Sequence, residues 1–253
     1  MLSVSSETPV VSIIIDDLGT NYRNGRAALN LPGAITYSIL PQRPYSRTLA
    51  IRANETGKEV MMHQPMESTR GLHMGAGGIS SHMNADEIYN ILNENFSTVP
   101  YSSGINNHMG SMLTTDPDQM YAVMSALKRR GDYYFVDSIT TRDSVALYVA
   151  DNQHVPNTRR NIFLDNKPNS YDISLQFDQL IAQAKKVGSS IAIGHPYPET
   201  IAALNQLLPR LSEHGIQLIA VSQMIQQRKM RERSHIWQAS LSPLQKAPKS
   251  SKQ

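Results

Sequence analysis

The chain repeatedly places a short apolar run directly before a polar or ionisable residue. Continuous apolar runs of this length are typical of parallel strands buried on both faces, the alternative being short buried helices. Segments 34–40 and 216–221 have strand character without such an ending. The six runs with a polar ending are Val10–Ile15 before Asp16-Asp17, Val60–Met62 before His63, Gly104-Ile105 before Asn106-Asn107-His108, Tyr133–Val136 before Asp137-Ser138, Ile162–Leu164 before Asp165, and Ile191–Gly194 before His195.

Amphipathic helical stretches lie between these runs. Asp116 and Pro117 have the residue types of an N-cap and a first helical position, and Asn84 has the same capping role before Asp86 and Glu87. Strands and helices alternate roughly seven times, which predicts an α/β fold with a parallel sheet and right-handed crossovers. We expect a (β/α) barrel or near-barrel, and an open doubly wound sheet is the alternative.

The net charge of the 253-residue chain is concentrated at one end. The total is +3, but residues 226–253 hold seven basic side chains and one acidic one, a net of +6. The other 225 residues hold 17 basic and 20 acidic groups, a net of −3. A broad basic face for nucleic acid is therefore not expected. We expect a nine-residue N-terminal extension, a single domain over 10–227 and a basic, flexible tail over 228–253.

Composition excludes several other classes of site. The absence of cysteine rules out disulfides, thiolate nucleophiles and cysteine-based zinc sites. No apolar run approaches the roughly 18–20 residues of a membrane span, so no integral membrane segment is expected. The first six residues lack a basic region followed by an apolar core, which indicates either a cytosolic protein or a signal segment removed beforehand.

The polar residues at the strand ends are the candidate site. In a parallel barrel the carboxyl ends of the strands converge on one face, where catalytic groups lie. Asp16 and Asp17 are the most distinctive pair, because adjacent buried carboxylates repel each other unless a cation or basic partner is present. Since successive strand residues point to opposite faces, both can share one orientation only if the strand has just ended. An Asx-type turn or helix cap is the structural alternative.

The histidines suggest what the cation is. His63 and Glu67 have the i, i+4 spacing of a metal-binding pair, although Pro65 argues against a regular helix there. Histidine and aspartate without cysteine suit Zn²⁺ or another divalent transition metal with three protein ligands and an open position for water.

The order of these motifs resembles the divergent polysaccharide deacetylases, relatives of the chitooligosaccharide and peptidoglycan deacetylases. The resemblance implies a distorted barrel of seven or eight mostly parallel strands and an extracytoplasmic, periplasmic location. It also implies that Asp16 is the general base, Asp17 a metal ligand and His195 the general acid. It extends over about 10–225 and rests on Ile15-Asp16-Asp17-Leu18-Gly19, His63-Gln64-Pro65-Met66-Glu67, Gly104-Ile105-Asn106-Asn107-His108-Met109-Gly110-Ser111, Phe135-Val136-Asp137-Ser138 and Ile193-Gly194-His195-Pro196.

Two motifs depart from those of the established deacetylases. Glu67 stands where they have the second histidine of His-(Ser/Thr)-x-x-His, and the 106–111 string replaces their Arg-x-Pro segment. We therefore expect His108 to be the third metal ligand beside Asp17 and His63, with Glu67 as its competitor.

Three functions remain open at this point. The leading one is a metal-dependent deacetylase, with Zn²⁺ as the expected ion, that removes N- or O-acetyl groups from a polysaccharide or oligosaccharide. The second is a non-catalytic carbohydrate-binding or envelope protein on the same barrel. The third is a phosphoesterase, which would need basic groups such as Arg159-Arg160 near the site. The oligomeric state is not predicted.

Overall fold

The computed structural model describes residues 8–241, except for the side chains of 235, 236 and 238–241. None of the helices in this part of the chain combines the length and apolar character needed to cross a bilayer. The strands within it are β1 Val10–Leu18, β2 Thr36–Ile39, β3 Glu59–Met66, β4 Ser102–Met109, β5 Tyr134–Asp137, β6 Asn157–Arg159, β7 Ile162–Phe163, β8 Ser189–Gly194 and β9 Gln217–Leu218.

The helices alternate with the strands, and their predicted starts are confirmed at two places. Asp116 caps α4 (Pro117–Arg130) with Pro117 in its first turn, and Asn84 forms a capping box with Glu87 at α3 (Ala85–Thr98). These caps satisfy backbone amides that have no partner within the helix. The helices are α1 Tyr22–Leu29, α2 Ser46–Glu55, α3 Ala85–Thr98, α4 Pro117–Arg130, α5 Ala146–Asn152, α6 Ser170–Val187, α7 Pro198–Leu207, α8 Pro209–Glu213 and α9 Val221–Leu241.

Eight parallel strands form one curled sheet in the order β6-β5-β4-β3-β2-β1-β8-β7, and β9 pairs with the start of β1. The two ends of this order are consecutive in the chain. Thr158 pairs with β5 and Ile162 pairs with β8, so one extended segment passes from one edge of the sheet to the other. The predicted distorted parallel barrel is thereby confirmed. Within residues 8–241 no strand pairing joins β6 to the β7–β8 edge, which leaves a seam there.

The strands are buried on both faces, which explains their continuous apolar runs. Ile13 and Ile15 belong to the large cluster that packs against the surrounding helices, whereas Ile14 belongs to a smaller cluster. This alternation follows from the two-residue period of a strand. The smaller cluster comprises Val10, Ile14, Met61, Tyr134, Val136, Ile191, Ile193, Ile219, Val221, Met224 and Ile225.

The first turns of α9 complete that smaller cluster and are fixed to the sheet. Glu59 Oε2, at the start of β3, accepts a hydrogen bond from Val221 N at 2.8 Å. Further along, Arg228 donates to Thr158 in β6 and to Ser189 in β8, so its guanidinium bridges the seam. The predicted domain boundary at 227/228 thus falls inside a helix that continues to Leu241. Residues 1–7 of the predicted extension and 242–253 of the predicted tail lie outside the described residues.

Candidate metal centre

Asp16 and Asp17 face the same cleft because the strand that carries them is irregular. The register between β1 and β2 shifts between Ile15 and Leu18, and Asp17 has a φ of 60°. Bulges of this kind re-aim side chains near active sites, and aspartate tolerates a left-handed backbone better than most residues. Convergence of the carboxylates was expected only after a strand end. The structure corrects this, because β1 continues through both residues to Leu18.

Three potential metal-ligand atoms lie close together, one each from Asp17, His63 and His108. Asp17 Oδ1 lies 3.2 Å from His63 Nε2 and 3.1 Å from His108 Nδ1. The two histidine nitrogens are 3.2 Å apart. Tetrahedral coordination at bond lengths near 2.0–2.1 Å separates ligand atoms by about 3.3 Å. The side chains therefore fit a small divalent cation, and their atoms are suitably placed to bind it together.

The environment of Asp17 supports that fit. Its Oδ1 atom is buried and forms no hydrogen bond of good geometry within the described residues. Burial raises the pKa of Asp17, but His108 and His63 more than offset this and hold it far below its ordinary value. A carboxylate oxygen in such a position is stabilised by a positive charge beside it, which either a protonated histidine or a metal ion supplies. The donor set, two imidazoles and a carboxylate, is one that zinc commonly accepts.

Asn106 in β4 orients both the candidate base and one candidate ligand. Its Nδ2 donates to Asp16 Oδ1 at 2.8 Å, and its Oδ1 lies 2.7 Å from His63 Nδ1. Ser38 Oγ donates to the same Oδ1 at 2.6 Å. Because that amide oxygen only accepts, His63 must donate from Nδ1, which leaves the Nε2 lone pair directed at the site. The amide thereby determines the tautomer that a metal ligand requires.

His63 is also held between carboxylates. Its Nε2 lies 3.7 Å from Asp16 Oδ2 as well as close to Asp17. Burial lowers the pKa of His63, but the negative charges of Asp16 and Asp17 outweigh burial and raise it to about 9. A positive charge is therefore strongly stabilised at this position in the folded protein.

His195 lies on the other side of Asp17 and is oriented by Asp165. His195 Nε2 is 3.9 Å from Asp17 Oδ2, while Nδ1 is 2.9 Å from Asp165 Oδ1. Thr200 donates to Asp165 Oδ2 at 2.7 Å, which fixes the carboxylate in turn. Burial lowers the pKa of His195, but the hydrogen bond and charge of Asp165 raise it overall. His195 is thus positioned to hold a proton beside the candidate metal ligands.

These side chains share an open cleft of about 430 Å³. Arg160 and Phe163, from the segment that closes the barrel, lie in its wall. Sequence reasoning named Arg160 only as half of a basic pair and did not place it in the site. A cleft of this size matches the range of small-molecule sites. Its lining is Asp16, Asp17, His63, Asn107, His108, Met109, Ser138, Ile139, Thr140, Arg160, Phe163, Ile193 and His195.

Two other candidate carboxylates, Glu67 and Asp137, accept hydrogen bonds from neighbouring loops. Glu67 accepts hydrogen bonds from Ser81 N at 2.6 Å and Ser81 Oγ at 2.8 Å, and it is not among the three clustered ligands. Asp137 accepts from Ile139 N at 2.8 Å and Ser144 Oγ at 2.6 Å, so it supports the loop after β5. The structure therefore places His108, and not Glu67, beside Asp17 and His63.

Comparison with known proteins relates this geometry to a family. A family model described as divergent polysaccharide deacetylase matches residues 13–225. The uncharacterized protein YibQ of Escherichia coli (strain K12) is 37% identical over 215 residues, which are 85% of this chain and 67% of that protein. The crystal structure of the uncharacterized protein ATU2773 from Agrobacterium tumefaciens C58 has a TM-score of 0.82 at 20% identity, covering 87% of this chain and 90% of that one.

More distant solved structures share the fold. Peptidoglycan deacetylase PdaC from Bacillus subtilis has a TM-score of 0.55 at 15% identity, covering 93% of this chain and 99% of that one. BA3943 from Bacillus anthracis, a CE4 family pseudoenzyme, has a TM-score of 0.53 at 12% identity, covering 87% and 66%. The curled barrel thus occurs both in a protein named as a deacetylase and in a pseudoenzyme, so the fold alone does not decide whether a member is catalytic.

Proposed function

The chain belongs to the divergent polysaccharide deacetylase family, and from this membership we propose that it is a metal-dependent hydrolase that removes acetyl groups from a carbohydrate. The observation that carries the proposal is the convergence of Asp17, His63 and His108 within 3.1–3.2 Å of one another. Asp16 and His195 lie beside that cluster. One cleft therefore holds the candidate metal ligands, the candidate base and the candidate acid.

Asp17, His63 and His108 would hold the ion, with Zn²⁺ as the expected metal. A divalent ion bound there would polarise the acetyl carbonyl and make water at its open position more acidic. The hydrogen bond from Asn106 fixes Asp16 without neutralising its charge, so Asp16 can accept a proton from the attacking water. The water oxygen would then bond to the acetyl carbon while the π pair of the carbonyl moves to its oxygen, and that pair re-forms the carbonyl when the leaving group departs.

His195 would complete the reaction. Its Nδ1 side is occupied by Asp165, so only Nε2 faces the cleft and can transfer a proton. When the bond between the acetyl carbon and the sugar nitrogen or oxygen breaks, that leaving atom takes the proton from His195 Nε2. The products are acetate and the free amine or hydroxyl. Asp165 acts in this scheme as a positioning residue, as the third member of a catalytic triad does.

The rival function is carbohydrate binding without catalysis. The feature that favours it is Glu67, which replaces the expected histidine and lies outside the ligand cluster. Against it, His108 Nδ1 lies 3.1 Å from Asp17 Oδ1, so a third candidate ligand atom is available without Glu67. We therefore place the hydrolase first. The family's polysaccharide substrates also lead us to propose an extracytoplasmic site of action.

Acetate release tests the proposal. The full chain, reconstituted with one equivalent of Zn²⁺, is incubated with acetylated chitooligosaccharides and with peptidoglycan fragments. We expect acetate from at least one of them, and Asp16→Asn should lower kcat by about 10²- to 10⁴-fold. Glu67→Gln is the matched control and should retain activity, since Glu67 lies outside the ligand cluster. Saturable glycan binding without acetate release would favour the rival, and turnover of 4-nitrophenyl phosphate alone would favour a phosphoesterase.

A further inference from the structure

Arg160 presents a fixed guanidinium to the same cleft. Its Nε donates to Ser138 O at 2.7 Å, and its Nη2 donates to Ile139 O at 2.8 Å. The guanidinium carbon lies 4.8 Å from the centre of the Phe163 ring, over its face. Two hydrogen bonds and an aromatic contact therefore hold the guanidinium in one orientation. A ligand that binds there does not have to order a long, flexible side chain, so binding costs less conformational entropy.

The turn that holds Arg160 is itself strained. Ile139 has a φ of 50°, a left-handed backbone conformation that is unusual for a β-branched residue. Asp137 Oδ1 accepts a hydrogen bond from Ile139 N and so stabilises this conformation. Strain of this kind persists where the surrounding structure enforces it, and it concentrates at functional sites. Here it turns a carbonyl toward Arg160.

The charge of Arg160 has no close counterion in the part of the chain that the structure describes. None of the ion pairs within 4.0 Å found there includes it, and both of its hydrogen-bond acceptors are neutral carbonyls. Burial lowers its pKa, and Asp16 and Asp137 raise it only in part. The Nη1 group forms no hydrogen bond with the protein there. A half-buried cation with unused donors is suited to bind an anion.

The proposed reaction uses none of these donors. Proton transfer is assigned to Asp16 and His195, and metal binding to three other side chains, yet Arg160 lines the cleft with all of them. We propose that Arg160 binds a carboxylate on the substrate, so that the cleft selects acetylated sugars that carry an acidic group. The inference deepens the proposed function and rests on it for the nature of the substrate. The planar guanidinium suits a carboxylate better than a lysine would.

The experiment compares two ligands that differ in charge and by one methyl group. One is the disaccharide of N-acetylglucosamine and N-acetylmuramic acid, and the other is its methyl ester. Their Kd values are measured by calorimetry, with and without one equivalent of Zn²⁺, so that carboxylate binding to a metal is separated from binding to the arginine. KM and kcat for acetate release are measured on the same pair.

Three variants isolate the arginine. Arg160→Met removes the charge, Arg160→Lys retains it without the planar fork, and Arg159→Met removes a neighbouring charge that lines a different groove. We expect the wild type to bind the acid about 10- to 100-fold more tightly than the ester, the range of a charged hydrogen bond. Arg160→Met should abolish that preference, Arg160→Lys should retain part of it, and Arg159→Met should retain it fully. Unchanged ester binding shows that each variant is folded.

The outcomes separate this inference from the proposed function. Selective binding of the acid without acetate release would refute the proposed hydrolase function and would support the carboxylate-binding role of Arg160. Equal binding of acid and ester by the wild type, or no binding of either, would overturn the inference. An equal loss of kcat on both substrates in Arg160→Met, with unchanged KM, would also overturn it, because Arg160 would then act on the reacting groups.

Discussion

Asn106 Nδ2 donates a hydrogen bond to Asp16 Oδ1 at 2.8 Å, and this contact joins the candidate base to the candidate metal centre. The oxygen of the same amide accepts from His63 Nδ1 at 2.7 Å. One side chain therefore sets the position of the base and the tautomer of a ligand. Residues that hydrogen-bond to metal ligands without binding the metal themselves orient those ligands and tune their basicity.

Asn106→Ala should weaken metal binding and catalysis together. The variant frees the His63 ring and leaves Asp16 without its amide donor. We expect a loss of about 10- to 100-fold in Zn²⁺ affinity, with a comparable or larger loss in kcat. Competition with a chelating dye and acetate release measure the two quantities. Ser38→Ala, which removes only the hydroxyl bound to the same amide oxygen, should have a much smaller effect. Normal metal affinity in Asn106→Ala would refute this role.

Asp165→Asn should impair catalysis more than substrate binding. The asparagine oxygen can still accept from His195 N and Thr200 Oγ1, so the new NH₂ group faces His195 Nδ1, where Asp165 Oδ1 lies at 2.9 Å. That amide disfavours the protonated imidazole, because both groups would then be donors, and we expect kcat to fall by at least about 100-fold with KM little changed. Thr200→Val removes one donor to Asp165 and is the milder control, with an expected loss below about 10-fold. Equal losses in the two variants would mean that both act only through local folding.

The pattern of apolar runs was sufficient to predict the barrel and the edge at which the site forms. The runs mark the strands, and the carboxyl-terminal halves of parallel strands meet at one face, so the sequence places His63, His108 and His195 together. The strand ends themselves differ, because β3 and β4 continue to Met66 and Met109. Helix starts at Asn84 and Asp116 were predictable for a similar reason, because a cap is a local interaction within four residues.

Features that depend on neighbouring strands were not predictable in this way. The bulge directs the Asp16 and Asp17 side chains toward the same cleft, and it arises from the pairing of β1 with β2. The spacing of residues in the sequence does not reveal that pairing. The position of Arg160 depends on how residues 157–163 close the barrel. Charge clustering predicts a boundary at 227/228, and charge carries no information on the contact by which Arg228, within α9, donates to Thr158 in the sheet.

Asp137 should make stability depend on pH. Burial raises its pKa in the folded protein, although Ser144 and Ile139 donate hydrogen bonds to it. The folded state therefore holds this proton more tightly than the unfolded chain, so stability is lost as pH rises through the folded pKa. Asp137→Asn removes the titration, and the Tm of the variant relative to wild type should be higher at pH 7 than at pH 4. Asp143→Asn removes a charge at an exposed position nearby and controls for net charge. A pH-independent difference for Asp137→Asn would contradict this account.

Arg228 should contribute to the stability of the barrel seam. Its guanidinium donates to Thr158, Ser189 and Asn161 at 2.7–3.0 Å, and these residues belong to both sides of the seam. Arg228→Met leaves the buried Thr158 and Ser189 hydroxyls without this donor, whereas Asn161 Oδ1 still accepts from Ile191 N. We expect a loss of about 1–3 kcal/mol in the free energy of unfolding. Urea titration measures the change. Lys229→Met, at the exposed next position, should change it by less than about 0.5 kcal/mol. Equal effects of the two variants would show that the bridge contributes little.

The most direct test of the central claim is the position and amount of metal in the protein. Crystals soaked with Zn²⁺ are measured for anomalous scattering at the zinc edge, with the metal content of the same preparation determined in solution. We predict one ion per chain, bonded to Asp17, His63 and His108, with Asp17→Ala losing it and Glu67→Gln retaining it. An empty site after soaking, or an ion held by Glu67 while Asp17→Ala keeps its full metal content, would contradict the proposed centre.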